Sequence, residues 1–130
     1  MGESAGSGIL VANVDDDPLI RTALARLTRS LGYEPVLFER AELLLVEPTP
    51  ADIGVVVTDI QMPGMTGLDL LRILRVRFPD LPVIIMTAYP SEVSRERASA
   101  LGAFAYLTKP FDAREYESCL SDAFGRTRNT

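Results

Sequence analysis

The chain has 130 residues, of which 47% are hydrophobic, and a formal net charge of -5. This length fits one domain, and the negative charge disfavours direct binding of nucleic acid. The longest apolar runs are far shorter than the roughly 20 residues that a membrane-spanning helix needs, so no membrane segment is predicted. Because the chain has no histidine, the sequence excludes Ser-His-Asp and Cys-His catalysis, His-ligated zinc and a phosphohistidine on this chain.

The single cysteine, Cys119, cannot form an internal disulfide, which predicts a cytoplasmic protein. Residues 1–8 are rich in Gly and Ser and lack the cationic and apolar parts of a signal peptide. They are predicted to be a disordered lead or a remnant of cloning. The folded domain is predicted over residues 9–125, and residues 126–130 are predicted to form a flexible polar tail.

Short apolar runs that end at polar residues predict buried strands, and apolar residues at helical spacing predict helices between them. The predicted elements in chain order are strand 9–14, helix 18–31, strand 35–38, helix 41–46, strand 54–58, helix 68–78, strand 83–86, helix 91–101, strand 104–107 and a last helix closed by Gly125. Asp17 followed by Pro18 is a helix-start signal. Asp112 and Glu115 form a capping-box pattern before the last helix.

This alternation predicts an α/β fold with a single, doubly wound, five-stranded parallel sheet in the order 2-1-3-4-5 and five helices on its two faces. Ligands bind at the carboxyl ends of the strands in such a sheet. Asp15 and Asp16 follow the first strand, Asp59 the third, Thr87 the fourth and Lys109 the fifth. We therefore expect these five side chains to surround one crevice.

The charges in this crevice indicate its chemistry. Two carboxylates about 4 Å apart repel by roughly 4 kcal/mol at an effective dielectric near 20. Lys109 supplies only one positive charge against three acids, so a divalent cation is expected, and Mg²⁺ is favoured over Ca²⁺ because it takes few carboxylates and accepts phosphate oxygens. A carboxylate nucleophile beside Mg²⁺, a lysine and a hydroxyl predicts phosphoryl transfer.

Four motifs resemble those of the response-regulator receiver domain of two-component signalling, and they occur in that family's order and at its intervals. They are residues 14–17 (VDDD), 58–65 (TDIQMPGM), 86–88 (MTA) and 106–111 (YLTKPF). The resemblance covers residues 9–124. It implies a flavodoxin-like receiver fold and a phosphorylation-activated signalling switch, a phosphoprotein that catalyses only its own phosphorylation and dephosphorylation.

The resemblance also implies where the phosphoryl group and the metal are held. Asp59 is implied to be the phosphoacceptor, which takes the phosphoryl group from the phosphohistidine of a sensor histidine kinase or a phosphotransfer protein. The implied ligands of Mg²⁺ are Asp15, Asp16, Asp59 and the backbone carbonyl of Gln61.

The same resemblance implies how phosphorylation changes the domain. Lys109 is implied to pair with the phosphoryl oxygens, and Thr87, with Ala88 beside it, to move onto the phosphoryl group. Tyr106 is implied to turn inward when Thr87 moves. The face formed by the fourth helix, fifth strand and fifth helix would then change shape, and a homodimer through this face is expected. The Lys109-Pro110 bond is usually cis in this family.

Two other functions remain open from the residues. The Asp15-Asp16-Asp17 run also resembles the signature of haloacid-dehalogenase-type phosphatases, in which Asp15 would be the nucleophile and Asp17 the general acid. Against this function, the chain is short for that family and lacks a later acidic pair at a strand end. The function would also leave Asp59 and its turn unexplained. The third hypothesis is a constitutive binding module with a receiver fold that takes no phosphate.

Three residues depart from the family pattern. Asn13 lies in a strand that is predicted to be buried on both faces, so its amide needs a hydrogen-bond partner that the sequence does not identify. Pro90 precedes the fourth helix and is expected to stiffen the loop after Thr87. Arg40 stands where the family often has a serine cap, so the second helix is expected to fray.

Overall fold

The computed structural model of the chain describes residues 9–46 and 52–128. Within these residues, strands and helices alternate as predicted. The strands are β1 Leu10–Val14, β2 Glu34–Phe38, β3 Ile53–Asp59, β4 Val83–Thr87 and β5 Ala105–Thr108, and the helices are α1 Pro18–Ser30, α2 Ala41–Leu45, α3 Gly67–Arg77, α4 Glu92–Ala100 and α5 Ala113–Arg128. The predicted lead over residues 1–8 lies outside the described residues.

The five strands form one parallel sheet in the order β2-β1-β3-β4-β5, which confirms the predicted topology. β3 is the central strand, and its residues from Val55 to Asp59 are all buried. In the register of the sheet, Val14 of β1 is paired with Thr58, and Asp59 is paired with Met86 of β4. The carboxyl ends of β1, β3 and β4 therefore lie at the same edge of the sheet.

The helices cover both faces of the sheet. On one face, α2, α3 and α4 pack against a core that includes Leu44, Leu71 and Ala98. On the other face, α1 and α5 pack against a second core that includes Leu24 and Leu120. Successive strand residues alternate between the two cores, as period-two side-chain geometry requires. None of the helices in the described part of the chain is long and apolar enough to cross a membrane.

The helix ends follow local chemistry. Asp17 caps α1, because its side chain accepts a hydrogen bond of 2.9 Å from the backbone N–H of Leu19. The helix ends before Gly32, whose φ of 93° suits glycine. Before α5, Asp112 and Glu115 exchange side-chain hydrogen bonds with each other's backbone N–H, which confirms the predicted capping box. Arg40 precedes α2 and makes no side-chain cap bond.

The predicted end of the last helix at Gly125 is wrong. α5 continues through this residue to Arg128, so most of the predicted tail over residues 126–130 is helical. The glycines that follow α1 and α4, Gly32 and Gly102, have positive φ angles, whereas Gly125 does not. A glycine inside a helix lowers helix stability by about 1 kcal/mol relative to alanine, but it does not by itself end the helix.

The partner that Asn13 needs is provided by Tyr116 of α5. The Nδ2 atom of Asn13 donates a hydrogen bond to the Tyr116 hydroxyl at 3.1 Å. This hydroxyl also lies 2.6 Å from the hydroxyl of Thr28 in α1. All three residues are fully buried. They form a polar triad, Asn13-Thr28-Tyr116, that joins β1 to the two helices on one face of the sheet.

Candidate functional site

The predicted site residues meet at the carboxyl edge of the sheet. Asp15 directly follows β1, Asp59 ends β3, Thr87 ends β4, and Lys109 directly follows β5. Backbone hydrogen bonds join these strand ends, with the N–H of Ile60 bonded to Met86 at 3.0 Å and the N–H of Lys109 bonded to Thr87 at 2.8 Å. The sheet therefore fixes the separations among the site residues.

Three carboxylates form an acid cluster, Asp15-Asp16-Asp59. One carboxylate oxygen from each residue lies within 4.8 Å of those of the other two. Asp15 is fully buried, Asp59 is 7% exposed, and Asp16 is exposed. The cluster therefore has a buried base and one open side.

Lys109 pairs with both buried acids. Its Nζ atom lies 2.8 Å from Oδ2 of Asp15 and 3.3 Å from Oδ2 of Asp59. Burial lowers the pKa of Lys109, but the hydrogen bond to Asp15 and the charges of both carboxylates outweigh burial, so the pKa is raised overall. The ammonium group is therefore held in its charged form between the two acids.

The surroundings of Asp59 disfavour its charged form. Burial raises its pKa, the charge of Lys109 opposes this shift only in part, and the charge of Asp15 adds to it. Its Oδ1 atom is buried and has no hydrogen-bond partner among the residues that the structure describes. An unpaired carboxylate oxygen beside two further acids is a donor set that suits a hard divalent cation, so the residues present fit Mg²⁺.

Asp15 and Asp17 have separate surroundings. Oδ1 of Asp15 accepts a hydrogen bond from the backbone N–H of Asp17 at 2.9 Å, and the carbonyl of Asp15 accepts one from Nη1 of Arg21 at 2.8 Å. These bonds hold Asp15 in place. The carboxylate of Asp17 caps α1 and is not part of the acid cluster. This arrangement disfavours the phosphatase hypothesis, which needs Asp17 as a general acid beside the nucleophile.

Gly67, the first residue of α3, lets that helix begin close to the phosphoacceptor candidate. A Cβ atom at this position would overlap the carbonyl oxygen of Asp59. Thr66 caps the helix through a reciprocal capping box with Asp69. The loop after β3 is thus anchored at the point where it turns into α3.

The hydroxyl of Thr87 makes two hydrogen bonds. It donates a hydrogen bond to the side-chain Oε1 of Gln61 at 2.9 Å and accepts one from the backbone N–H of Tyr89 at 2.9 Å. Thr87 is fully buried, whereas Gln61 is exposed in the loop after β3. The family resemblance implies a role only for the backbone carbonyl of Gln61, and no motif indicates the contact that its side chain makes.

Tyr106 lies against the start of α4. Its hydroxyl lies 2.6 Å from the hydroxyl of Ser94 and accepts a 3.4 Å hydrogen bond from the backbone N–H of Ser91. The guanidinium carbon of Arg95 lies 4.4 Å from the centre of the ring, within cation–π range. These contacts join β5 to α4, and no motif in the sequence indicates them.

Ala88 is exposed directly after Thr87. It lines an apolar groove of about 600 Å³ together with Leu19 and other residues of α1 and with Lys109, Pro110 and Phe111. The Lys109-Pro110 peptide bond is cis, as the resemblance implied. The acid cluster and this groove are therefore adjacent on the surface.

Comparison with known proteins identifies the family. Residues 11–120 match the model of the response regulator receiver domain, and the chain belongs to this family. The chain is 47% identical over 105 residues to the DNA-binding transcriptional regulator NtrC of Escherichia coli K12, a match that covers 78% of this chain and 22% of that protein. The chain thus spans about a fifth of the length of this curated relative.

Two solved structures illustrate the similarity. The response regulator TrrA of Thermotoga maritima, in complex with Mg²⁺ and beryllofluoride, matches with a TM-score of 0.80 and 30% identity, over 88% of this chain and 98% of that one. The beryllofluoride-activated receiver domain dimer of NtrC4 matches with a TM-score of 0.85 and 26% identity, over 90% of this chain and 97% of that one. Both support the receiver fold that the strand order defines.

Proposed function

We propose that this domain is the phosphorylation-activated switch of a two-component system, with Asp59 as its phosphoacceptor. The observation that carries the proposal is the buried Asp59 carboxylate within the acid cluster. Its Oδ1 atom has no hydrogen-bond partner in the described part of the chain, and its Oδ2 atom lies 3.3 Å from the Lys109 ammonium group. This geometry leaves one oxygen free for attack while the other is paired with a cation.

In the proposed reaction, an Asp59 oxygen forms a bond to phosphorus, and the bond between phosphorus and the donor's histidine nitrogen breaks. The electron pair of the broken bond stays on that nitrogen, and the product is an aspartyl phosphate. Lys109 pairs with a phosphoryl oxygen. Asp15, Asp16 and Asp59, together with the backbone carbonyl of Gln61, would hold Mg²⁺, which neutralises phosphoryl charge when it is bound.

The proposed signal passes from Asp59 to α4. A phosphoryl group on Asp59 provides new acceptor oxygens for the hydroxyl of Thr87, with Ala88 beside it. Tyr106, which is hydrogen bonded to the start of α4, then changes position. The α4-β5-α5 face changes shape as a result, which is a two-state response to a local charge.

The proposed phosphodonor is a sensor histidine kinase or a phosphotransfer protein that docks on the apolar groove beside Lys109. Leu19 at the rim of this groove is 80% exposed, so a partner can cover it. Leu19→Glu is expected to slow phosphotransfer from a protein donor while leaving phosphorylation by acetyl phosphate unchanged. If Leu19→Glu left the rate of phosphotransfer from the protein donor unchanged, this docking surface would be rejected.

We also propose that the phosphorylated domain forms a homodimer through the α4-β5-α5 face. The dimer of the activated NtrC4 receiver domain supports dimerisation on activation, and the 67% exposed Val93 on α4 supports this face. Sedimentation of the beryllofluoride-treated domain should show a dimer that Val93→Glu prevents. A monomer under all conditions would contradict the proposal.

Incubation with Mg²⁺ and acetyl phosphate tests the main proposal. We expect one base-labile phosphoryl adduct in the wild type and none in Asp59→Asn, as measured by intact mass. Multiple turnover of a phosphomonoester that survives Asp59→Asn but is lost in Asp15→Asn would instead identify a phosphatase. No adduct with any donor would identify a constitutive binding module.

A further inference from the structure

The hydroxyl of Thr87 has a single hydrogen, and it donates this hydrogen in a hydrogen bond to the side chain of Gln61. The hydrogen bond from Thr87 Oγ1 to Gln61 Oε1 measures 2.9 Å. One lone pair of the hydroxyl oxygen is used as well, because the N–H of Tyr89 donates to it at 2.9 Å. A hydroxyl can donate only one hydrogen bond at a time. Any other acceptor for this proton must therefore displace Gln61.

A phosphoryl group on Asp59 is such an acceptor. Asp59 ends β3 and Thr87 ends the neighbouring strand β4, so both residues lie at the same edge of the sheet. Gln61 follows Asp59 by two residues and lies in the loop after β3. The phosphoryl oxygens and the Gln61 side chain therefore compete for one proton.

The loop that carries Gln61 is anchored on both sides. The N–H of Ile60 bonds to Met86 at 3.0 Å, and the carbonyl of Ile60 accepts a bond from Gly67 at 3.0 Å. Further along the loop, the N–H of Met65 donates to the carboxylate of Glu42 in α2 at 3.0 Å. These hydrogen bonds fix the loop backbone on both sides of Gln61 and so position its side chain next to Thr87.

We propose that the side chain of Gln61 is a positioning residue that holds the Thr87 hydroxyl in its unphosphorylated orientation and thereby weakens phosphoryl binding at Asp59. The inference rests on the proposed function and deepens it. The backbone carbonyl of Gln61 would bind Mg²⁺, while its side chain would disfavour the movement of the Thr87 hydroxyl to the phosphoryl group. One residue would then tune how readily phosphorylation is converted into a signal.

The test measures the Kd of beryllofluoride in the presence of Mg²⁺ by calorimetry for wild type and Gln61→Met, which keeps the side-chain length but removes the acceptor. A hydrogen bond of this kind contributes about 0.5–1.5 kcal/mol, so the Kd should fall by roughly two- to tenfold in Gln61→Met. The Kd of Mg²⁺ alone is measured for both proteins in parallel, so that a change in metal affinity is distinguished from a change in beryllofluoride affinity.

A cycle with Thr87 separates positioning from a structural role. In a Thr87→Val background, which lacks the hydroxyl, Gln61→Met should leave the beryllofluoride Kd unchanged. In a Thr87→Ser background, which keeps the hydroxyl, the tightening should return. Circular dichroism checks that each variant folds.

The outcomes of the test are distinct. An unchanged or weaker Kd in Gln61→Met overturns the inference, as does equal tightening in the Thr87→Val background or a parallel change in Mg²⁺ affinity. If the wild type itself binds no beryllofluoride with Mg²⁺, the proposed function fails and the inference fails with it.

Discussion

Two polar clusters lie near the carboxyl end of β1, and they differ in charge and in exposure. The polar triad Asn13-Thr28-Tyr116 carries no formal charge, and its hydroxyl and amide groups bond to one another. Two residues further along the chain, Asp15 begins the acid cluster, where Lys109 is the cation paired with two buried carboxylates. Each region has one buried oxygen without a partner among the described residues, Oδ1 of Asn13 and Oδ1 of Asp59.

The two unpaired oxygens differ in charge, because Oδ1 of Asn13 belongs to a neutral amide and Oδ1 of Asp59 belongs to a carboxylate. An unpaired amide oxygen costs a limited amount of stability, about 1–3 kcal/mol, and it attracts no ion. An unpaired carboxylate costs more and creates a site for a cation. The triad therefore fixes α1 and α5 to the sheet, whereas the acid cluster lowers the stability of the fold and has the oxygen ligands that suit a divalent cation.

Magnesium provides the largest expected contrast between the two regions. A ligand at 100 times its Kd stabilises the folded state by about 2.7 kcal/mol, so Mg²⁺ at that level should raise the free energy of unfolding in urea by this amount. Asp16→Asn should lose most of this gain because it removes a carboxylate of the acid cluster. Asp17→Asn is the matched control, since Asp17 only caps α1 and asparagine caps equally well. An equal loss in both variants would contradict the comparison.

Removal of the Tyr116 hydroxyl should destabilise the domain. Tyr116→Phe leaves the amide of Asn13 and the hydroxyl of Thr28 without their shared partner, at a cost of about 1–3 kcal/mol in the free energy of unfolding. Tyr33→Phe is the control, because Tyr33 is half-buried and stacks on Phe124 with ring centres 4.8 Å apart. If both variants lose the same stability, the triad has no special role.

The opposite sign is expected when charge is removed from the acid cluster. Without Mg²⁺ at neutral pH, Asp59→Asn should raise the free energy of unfolding by roughly 1 kcal/mol, the scale of one unpaired buried polar group. The reason is that burial and the charge of Asp15 oppose the ionised form of Asp59, although Lys109 offsets part of this. Urea unfolding of wild type and variant measures the difference. A lower free energy of unfolding in Asp59→Asn would show that the surroundings do not disfavour the charged form of Asp59.

The smallest effect concerns alkaline pH. Burial raises the pKa of Tyr116 above its usual 10.0, although the bonds to Thr28 and Asn13 oppose this shift. The folded state then holds the proton more tightly than the unfolded chain, so this contribution to stability is complete below pH 10 and is lost as the pH rises through the raised value. The stability gap between wild type and Tyr116→Phe should therefore narrow above that pH in urea titrations. A constant gap would contradict this interpretation.

The sequence predicted the sheet and the acid cluster because both depend on local patterns. Apolar runs ending in acids identify β1 and β3, and parallel strands must bring those ends to one edge. It could not predict the contacts between distant residues that depend on side-chain packing, such as Asn13 with Tyr116 or Tyr106 with Ser94. The sequence does not predict that α5 continues past Gly125. A glycine commonly ends a helix by adopting a positive φ angle, and the sequence does not show that Gly125 does not adopt one.

Chemical trapping of the phosphoryl group tests the central claim most directly. Treatment of the acetyl phosphate-labelled domain with borohydride reduces an acyl phosphate to an alcohol, which converts the modified aspartate to homoserine. Peptide mass spectrometry should find homoserine at position 59 alone, and only when Mg²⁺ was present during labelling. Homoserine at position 15, or labelling that is independent of Mg²⁺, would contradict the assignment of Asp59 as the phosphoacceptor of the acid cluster.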